Sequence, residues 1–87
     1  METRVAVISI IVEDPEQSGE LNNLLHEYSR YIIGRMGIPY REKGISIISI
    51  AIDAPQDAIN TLSGRIGKLK GVTAKTAYSN VISKATE

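Results

Sequence analysis

Two runs of this 87-residue chain are apolar at almost every position, and they constrain its fold more than any other feature. They are Val5–Val12 and Ile45–Ile52, and Ile and Val dominate them. Such β-branched residues favour strands. A strand that is apolar at both alternating sets of positions is covered on both faces, so these two strands are predicted to lie at the centre of a sheet.

A helix is predicted after each of these strands, because acidic residues and then a proline follow each run. Asp14 can cap a helix that has Pro15 at its first position, and Asp53 or Ala54 precedes Pro55 in the same way. Both following segments carry apolar residues at helical spacing. The first stripe is Leu21, Leu24, Leu25 and Tyr28, and the second is Ala58, Ile59, Leu62, Ile66 and Leu69.

Two more strands complete the pattern. The segment Tyr31–Tyr40 contains Pro39, which cannot donate a ladder hydrogen bond, so this strand is predicted to lie at a sheet edge. Gly44 ends the turn that follows and suits a positive φ. Gly71 is predicted to end the second helix as a left-handed cap, before a last, half-exposed strand over Val72–Ser79.

The resulting order, β-α-β-β-α-β, is supported by an internal repeat. A shift of forty residues lays Ile8-Ser9-Ile10 onto Ile48-Ser49-Ile50. Two pseudo-symmetric β-α-β halves with central first and third strands are typical of the split β-α-β fold. The predicted fold class is therefore α+β, a ferredoxin-like βαββαβ sandwich with two helices on one face of an antiparallel four-stranded sheet. A single domain over residues 1–87 accounts for the whole length.

In this fold the helices leave one face of the sheet open, yet both faces of the central strands are aliphatic here. Val5, Val7 and Ile11 form one of the two apolar sets of the first strand. Soluble monomers rarely leave such a contiguous patch in water. We therefore expect a homo-oligomer, a dimer or a tetramer, that buries the open face. The alternative is a tail folded over it, but residues 80–87 are few and mostly polar.

Composition argues against several classes of function. Ten basic and ten acidic residues give a formal net charge of zero, which disfavours direct binding to nucleic acid or to a membrane surface. With no cysteine and one histidine, one chain cannot build a thiol nucleophile or a multi-histidine metal site. No apolar run reaches the roughly 18 residues of a membrane span, and no signal-peptide pattern is visible, so a cytoplasmic location is expected.

No constellation of residues predicts catalysis, and the protein is expected not to be an enzyme. Ser9 and Ser49 lie mid-strand without a second histidine to activate them. If the ends of the first and third strands lie side by side, Glu13, Asp14 and Asp53 converge, and three carboxylates suit a divalent cation. Helix capping is the simpler explanation of these acids. Central strands without aromatic residues disfavour base stacking on RNA.

The best candidate for a ligand or interface site is the glycine-containing segment after the first helix, together with His26. Arg35 and Arg41 suit an anion. Met36 is an adaptable apolar contact, and Gly37 lets a backbone approach closely. The alternatives are an edge strand with a bulge at its glycines and a boundary histidine with local hydrogen bonds only.

The same segment carries a family resemblance. His26-Glu27-Tyr28 and the stretch Tyr31–Ile50 resemble the iron-only hydrogenase system regulators, small ACT-like proteins similar to the C-terminal sensor domain of nickel-responsive regulators. The likeness runs from Arg4 to Ser79. It implies a regulatory domain that senses a small ligand and oligomerises through its sheets. It does not imply a nickel site, because the further histidines and the cysteine of the nickel sensors have no counterpart in this chain.

The expected function is thus a non-enzymatic, ligand-sensing regulatory module linked to the iron-only hydrogenase system. A ligand bound at subunit interfaces would shift assembly states that a protein partner reads, since no DNA-binding segment is recognisable. The alternative is a purely structural homo-oligomerisation domain without a ligand. The sequence identifies neither the ligand nor a cofactor.

Overall fold

Six main elements follow one another in the predicted order. The computed structural model describes residues 2–84, with side chains described through residue 81. The elements are β1 (Glu2–Val12), α1 (Ser18–Glu27), β2 (Ile32–Tyr40), β3 (Ile45–Ala54), α2 (Gln56–Gly67) and β4 (Val72–Lys84). Short 3-10 turns over Pro15–Gln17 and Ser29–Tyr31 flank α1. The βαββαβ order is confirmed.

The four strands form one antiparallel sheet in the order β2-β3-β1-β4. β1 and β3 are the central pair, as their apolar runs predict, and β2 with its Pro39 is an edge strand. The two repeated segments pair with each other, so that Ser9 lies directly opposite Ser49. The predicted ferredoxin-like architecture is confirmed.

The core lies between the two helices and one face of the sheet. Every second side chain of β1 from Ala6 to Val12 is buried, and β3 alternates in the same way from Ile48 to Ala54. Burial of each large aliphatic side chain stabilises the fold by roughly 1.5–3 kcal/mol. Both predicted helix stripes face this core. Their buried members are Leu21, Leu24, Leu25, Ile59, Leu62 and Ile66.

Among the described elements, none covers the other face of the sheet. β4 is longer than predicted and continues along β1, so residues 80–84 extend the sheet and do not cross this face. Residues 85–87 of the alternative tail lie outside the described part of the chain. The open face is aliphatic as predicted, and its burial in an oligomer stays a prediction. Its exposed apolar side chains include Val5, Val7, Ile11, Ile47, Met36 and Ile38.

β2 pairs with β3 alone and is bulged near its start. The register shifts between Ile32 and Gly34, so Ile33 is an extra residue on β2. This confirms a bulge at one of the two glycines. Every residue of β2 after Ile32 is exposed, because the helices cover the central strands and leave this edge free.

The acids after the two central strands have different roles, although similar caps were predicted. The Asp14 carboxylate accepts a hydrogen bond of 3.0 Å from the backbone N–H two residues later, and Pro15 begins the 3-10 turn that leads into α1. The prediction of a cap for α2 is wrong. Pro55 occupies its N-cap position, and no side chain caps the helix. Asp53 lies within β3, opposite Val5 on the open face.

A polar cluster joins α2 to the end of the sheet where the β1–β4 register shifts. Arg4 donates from Nε to the Ser79 carbonyl and from Nη1 to Gln56 Oε1, both at 2.8 Å. Its guanidinium lies 4.8 Å from the ring centroid of Tyr78. Tyr78 and Gln56 each donate to Asn60 Oδ1. The cluster therefore serves the fold, because its polar groups satisfy one another.

Two glycines have the left-handed backbone that was predicted for them. Gly44 has φ 66° at the end of the β2–β3 turn, and Gly71 has φ 73° just before β4. The prediction that Gly71 caps α2 is wrong, because the helix ends four residues earlier at Gly67 and its C-cap is Lys68. A Cβ on Gly44 would meet no atom within 4 Å, whereas a Cβ on Gly71 would lie 2.7 Å from Asp14 Cβ. Both the positive φ and the close approach of Asp14 therefore require a glycine at position 71.

We expect Gly44→Ala to lower the free energy of unfolding by about 1–2 kcal/mol, the cost of a left-handed alanine. Gly71→Ala should lower it by a further amount of about 1–3 kcal/mol, because the new methyl group overlaps Asp14. Urea denaturation followed by circular dichroism measures both. Equal losses in the two variants would contradict the close approach of Gly71 to Asp14.

Candidate functional site

A groove runs between α1 and the edge strand β2. It forms because the leucines of α1 pack over the central strands and leave the helix-facing side of β2 uncovered. The groove has two compartments, of about 180 and 300 Å³. Asn22 of α1 and Arg35 of β2 line both of them. The apolar walls come from Leu21, Leu25, Ile32 and Ile48.

Arg35 bridges the two sides of the groove. It pairs with buried Ile50, so it lies on the helix-facing side of β2, and its Nη2 donates to Asn22 Oδ1 at 2.6 Å. A guanidinium carries five N–H donors in a planar fork, and within the described side chains this is the one hydrogen bond that Arg35 makes. The arrangement positions a cation that suits a carboxylate or a phosphate group.

His26 lies in the wider compartment together with Arg35 and Ser29. It is exposed near the end of α1, one helical turn beyond Asn22 on the same side of the helix. The structure thus places two of the predicted site residues, one from α1 and one from β2, in one compartment.

Gly37 lies in the narrower compartment, opposite Ile48 on the helix-facing side of β2. A Cβ at this position would have no atom within 4 Å. Its φ lies outside the left-handed region, so the backbone does not require glycine. What the missing side chain provides is space in the groove.

The other two predicted site residues lie elsewhere. Met36 pairs with Ser49 and faces the open side of the sheet, because successive residues of a strand point to opposite faces. Arg41 belongs to the turn after β2 and lines a further pocket, which adjoins the narrower compartment at Pro39 but contains neither Asn22 nor Arg35. The five predicted residues are therefore divided between the groove, the open face and the turn.

Glu27 follows the groove histidine in sequence but is engaged by α2. Arg65 donates to its two carboxylate oxygens at 3.1 and 3.2 Å and to the Tyr28 hydroxyl at 3.4 Å. The hydrogen bond and then the charge of Arg65 lower the pKa of Glu27. The pKa of Arg65 is raised, chiefly by the hydrogen bond to Glu27. Glu27 therefore joins the two helices and does not act in the groove.

Glu13, Asp14 and Asp53 do not converge, so the alternative of a cation site at these acids is wrong. β1 and β3 are antiparallel, so Val12 at the end of β1 pairs with Ser46 at the start of β3, and Asp53 lies at the opposite end of the sheet. Within residues 2–84, no three His, Asp or Glu side chains are grouped as metal ligands. No helix in this part of the chain is long and apolar enough to span a membrane.

On the α1 side of the groove, His26 was predicted from the sequence, but Ser18 and Asn22 were not. Ser18, Asn22 and His26 recur every four residues, a spacing that puts them on one helical face beside the leucine stripe. This signal was available, but the strand that this face meets depends on how α1 lies over the sheet.

Residues 4–76 match the family model TM1266-like, described as "Iron-only hydrogenase system regulator, putative". The structure of the uncharacterized protein TM1266 from Thermotoga maritima is similar, with 38% identity and a TM-score of 0.83. The alignment covers 87% of this chain and 96% of that one. No curated protein matches the chain.

A formyltetrahydrofolate deformylase from Pseudomonas putida KT2440 is similar in fold alone. Its structure aligns with a TM-score of 0.66 at 14% identity. The alignment covers 88% of this chain but 29% of that chain. The βαββαβ unit therefore also occurs as part of a larger protein.

The Glu27–Arg65 contact predicts a pH dependence. Because the folded-state pKa of Glu27 is lowered, its contribution to stability is present above the ordinary glutamate pKa of about 4.3 and is lost as the pH falls through the folded-state value. Glu27→Gln should therefore lower Tm at pH 7 and make little difference at pH 2. Thermal unfolding across this range measures the effect, with Glu20→Gln on the same helix as the control. A constant difference in Tm between wild type and Glu27→Gln would contradict it.

Proposed function

The chain belongs to the TM1266-like family of iron-only hydrogenase system regulators, and we propose that it acts as a non-enzymatic sensor in that system. In this proposal it is a cytoplasmic homo-oligomer that binds a small anionic ligand in the groove between α1 and β2. A protein partner responds to the liganded state. The regulatory role follows from the family, and the ligand, the assembly, the location and the partner are the proposal.

The observation that carries the ligand proposal is the bridge between Arg35 and Asn22. The amide of Asn22 holds the guanidinium across the groove at 2.6 Å, while the other N–H groups are available to a carboxylate or phosphate ligand. Apolar walls on both sides of this cation favour a ligand with a small hydrocarbon part. His26 adds a second polar contact in the wider compartment.

The strand β2 supplies a path from the groove to an assembly. Arg35 and Gly37 face the groove, whereas Met36 lies between them in sequence and faces the open side of the sheet. A ligand that moves β2 therefore also moves part of the apolar face that we propose to be buried between subunits. Ligand binding and subunit association are then linked through one element.

A protein partner is favoured over DNA as the target. The chain has no formal net charge to attract a polyanion. The open face of its sheet is aliphatic, and such an apolar surface suits contact with another protein.

The open face also favours a second function, a structural self-association domain without a ligand. The exposed side chains of Val7, Ile11 and Ile47 are sufficient to drive self-association of the chain. This association does not require a ligand in the groove. The two functions differ in one observable property: the sensor should carry a bound small molecule when the oligomer is purified, and the structural domain should not.

Native mass spectrometry of the purified protein, with a denatured spectrum of the same sample, tests the two functions. We expect a dimer or tetramer that carries extra mass, and denaturation should release this mass. An oligomer without extra mass would support the structural alternative, and a monomer would contradict both.

The site is tested by arginine substitutions. Arg35→Ala should lower the occupancy of the bound molecule about tenfold or more, because charge-assisted hydrogen bonds contribute about 1.5–3 kcal/mol. His26→Ala should lower it less. Arg41→Ala removes the same charge from the turn and should leave occupancy unchanged. If Arg41→Ala lowered the occupancy and Arg35→Ala left it unchanged, the ligand would bind at the turn after β2 and not in the groove.

Glycine substitutions test the groove by size alone. Gly37→Ala should lower ligand occupancy several-fold without lowering Tm, because its methyl group enters the narrower compartment and meets no atom of the chain. Gly34→Ala is the matched control, since its Cβ also has free space but points to the open face. Equal occupancy in the two variants would argue against a ligand near Gly37.

A further inference from the structure

We infer that the open face of the sheet is a two-fold interface with a second copy of this chain, in which Lys75 of each copy pairs with Asp53 of the other. This inference rests on the homo-oligomer of the proposed function. It adds the symmetry of the interface and the charged pair that sets the register of the two sheets.

The open face carries two charges of opposite sign. Along β1 its residues are those at odd positions from Val5 to Ile11, and their partners on β3 and β4 lie on the same face. Within this described block the charged side chains are Asp53 and Lys75; the others are aliphatic, small or hydroxyl-bearing. A monomer gains nothing from one acid and one base placed apart on an otherwise apolar surface.

The Asp53 carboxylate is incompletely satisfied. Its Oδ1 is buried and accepts no hydrogen bond from the described residues, and no described side chain forms an ion pair with it. It does not cap α2, whose N-cap position is Pro55. A cation that approaches the other carboxylate oxygen would compensate for the hydration that Asp53 has lost.

The positions of the two charges are self-complementary. Asp53 lies beside Val5 on one side of β1, and Lys75 lies beside Ser9 on the other side. Val7 lies midway between them along the strand. A two-fold axis in the plane of the interface near Val7 exchanges the two charged positions, so one contact is made twice. The flexible four-carbon stem of lysine tolerates the twist between the sheets.

The surface suits a face-to-face packing of two sheets. Four strands about 4.8 Å apart and about eight residues at 3.3 Å each span roughly 500 Å² in projection. This is of the same order as the roughly 800 Å² of accessible surface that each partner buries in a stable interface. Ser9, Ser49 and Ala51 are small residues at the centre of the face, so the two sheets can approach closely.

Charge exchange tests the interface. We expect Lys75→Asp and Asp53→Lys each to raise the dimer dissociation constant about tenfold or more, because each places like charges together twice. The double variant, which exchanges the two charges, should return to within about threefold of wild type. Sedimentation velocity over a concentration series measures these constants. Lys70→Asp, which makes the same charge change at an exposed position before β4, should leave the constant unchanged.

A second variant covers the case in which Asp53→Lys does not fold. Val7→Glu changes a half-exposed residue and places two like charges near the axis, so it should give a folded monomer by circular dichroism and sedimentation. An oligomer that Lys75→Asp and Val7→Glu leave intact would overturn this interface and the proposed link through β2, while the ligand-binding groove and the oligomer of the proposed function would stand. A wild-type monomer at about 100 μM would overturn the oligomer of the proposed function and this interface together.

Discussion

The structure depends on the direct pairing of β1 with β3, two strands that are aliphatic on both faces. Their antiparallel register sets Ser9 opposite Ser49 and turns alternate isoleucines of both strands towards the helices. Two helices cover one face of a four-stranded sheet and no more. The other apolar face must therefore meet water or a partner, and the strand farthest from the helices must form an exposed edge. The groove and the open face are both consequences of this imbalance.

The strands and helices could be predicted because their signals are local. Runs of isoleucine and valine mark the central strands, Pro39 marks the edge, and the leucine stripe marks the buried side of α1. The errors concern relations between distant segments. Each of Asp14 and Asp53 follows a predicted strand, which allowed the alternative that they lie side by side, but neighbouring strands of opposite direction place these acids at opposite ends of the sheet. Strand direction follows from the topology and is not visible in the spacing of acids.

The candidate site was predictable only in part, for a similar reason. Arg35 and His26 stood out as polar residues beside apolar ones, and both line the groove. Met36 was grouped with Arg35 because the two are adjacent, although neighbours in a strand face opposite sides. Asn22, which holds Arg35, could be found only after the position of α1 over the sheet was known.

The division of β2 between two surfaces has a thermodynamic consequence for the proposed sensor. β2 is held by one neighbouring strand and is exposed after Ile32, whereas the other edge strand, β4, packs against α2, so β2 is the strand that we expect to move at the lowest cost. One side of it lines the groove, and Met36 and Ile38 on the other side belong to the open face. If a ligand prefers one position of β2, then association that prefers the same position must strengthen ligand binding by the same factor, because the coupling is reciprocal. In the proposed sensor, a groove on one side of this strand and an interface on the other would form a regulatory device that needs no large conformational change.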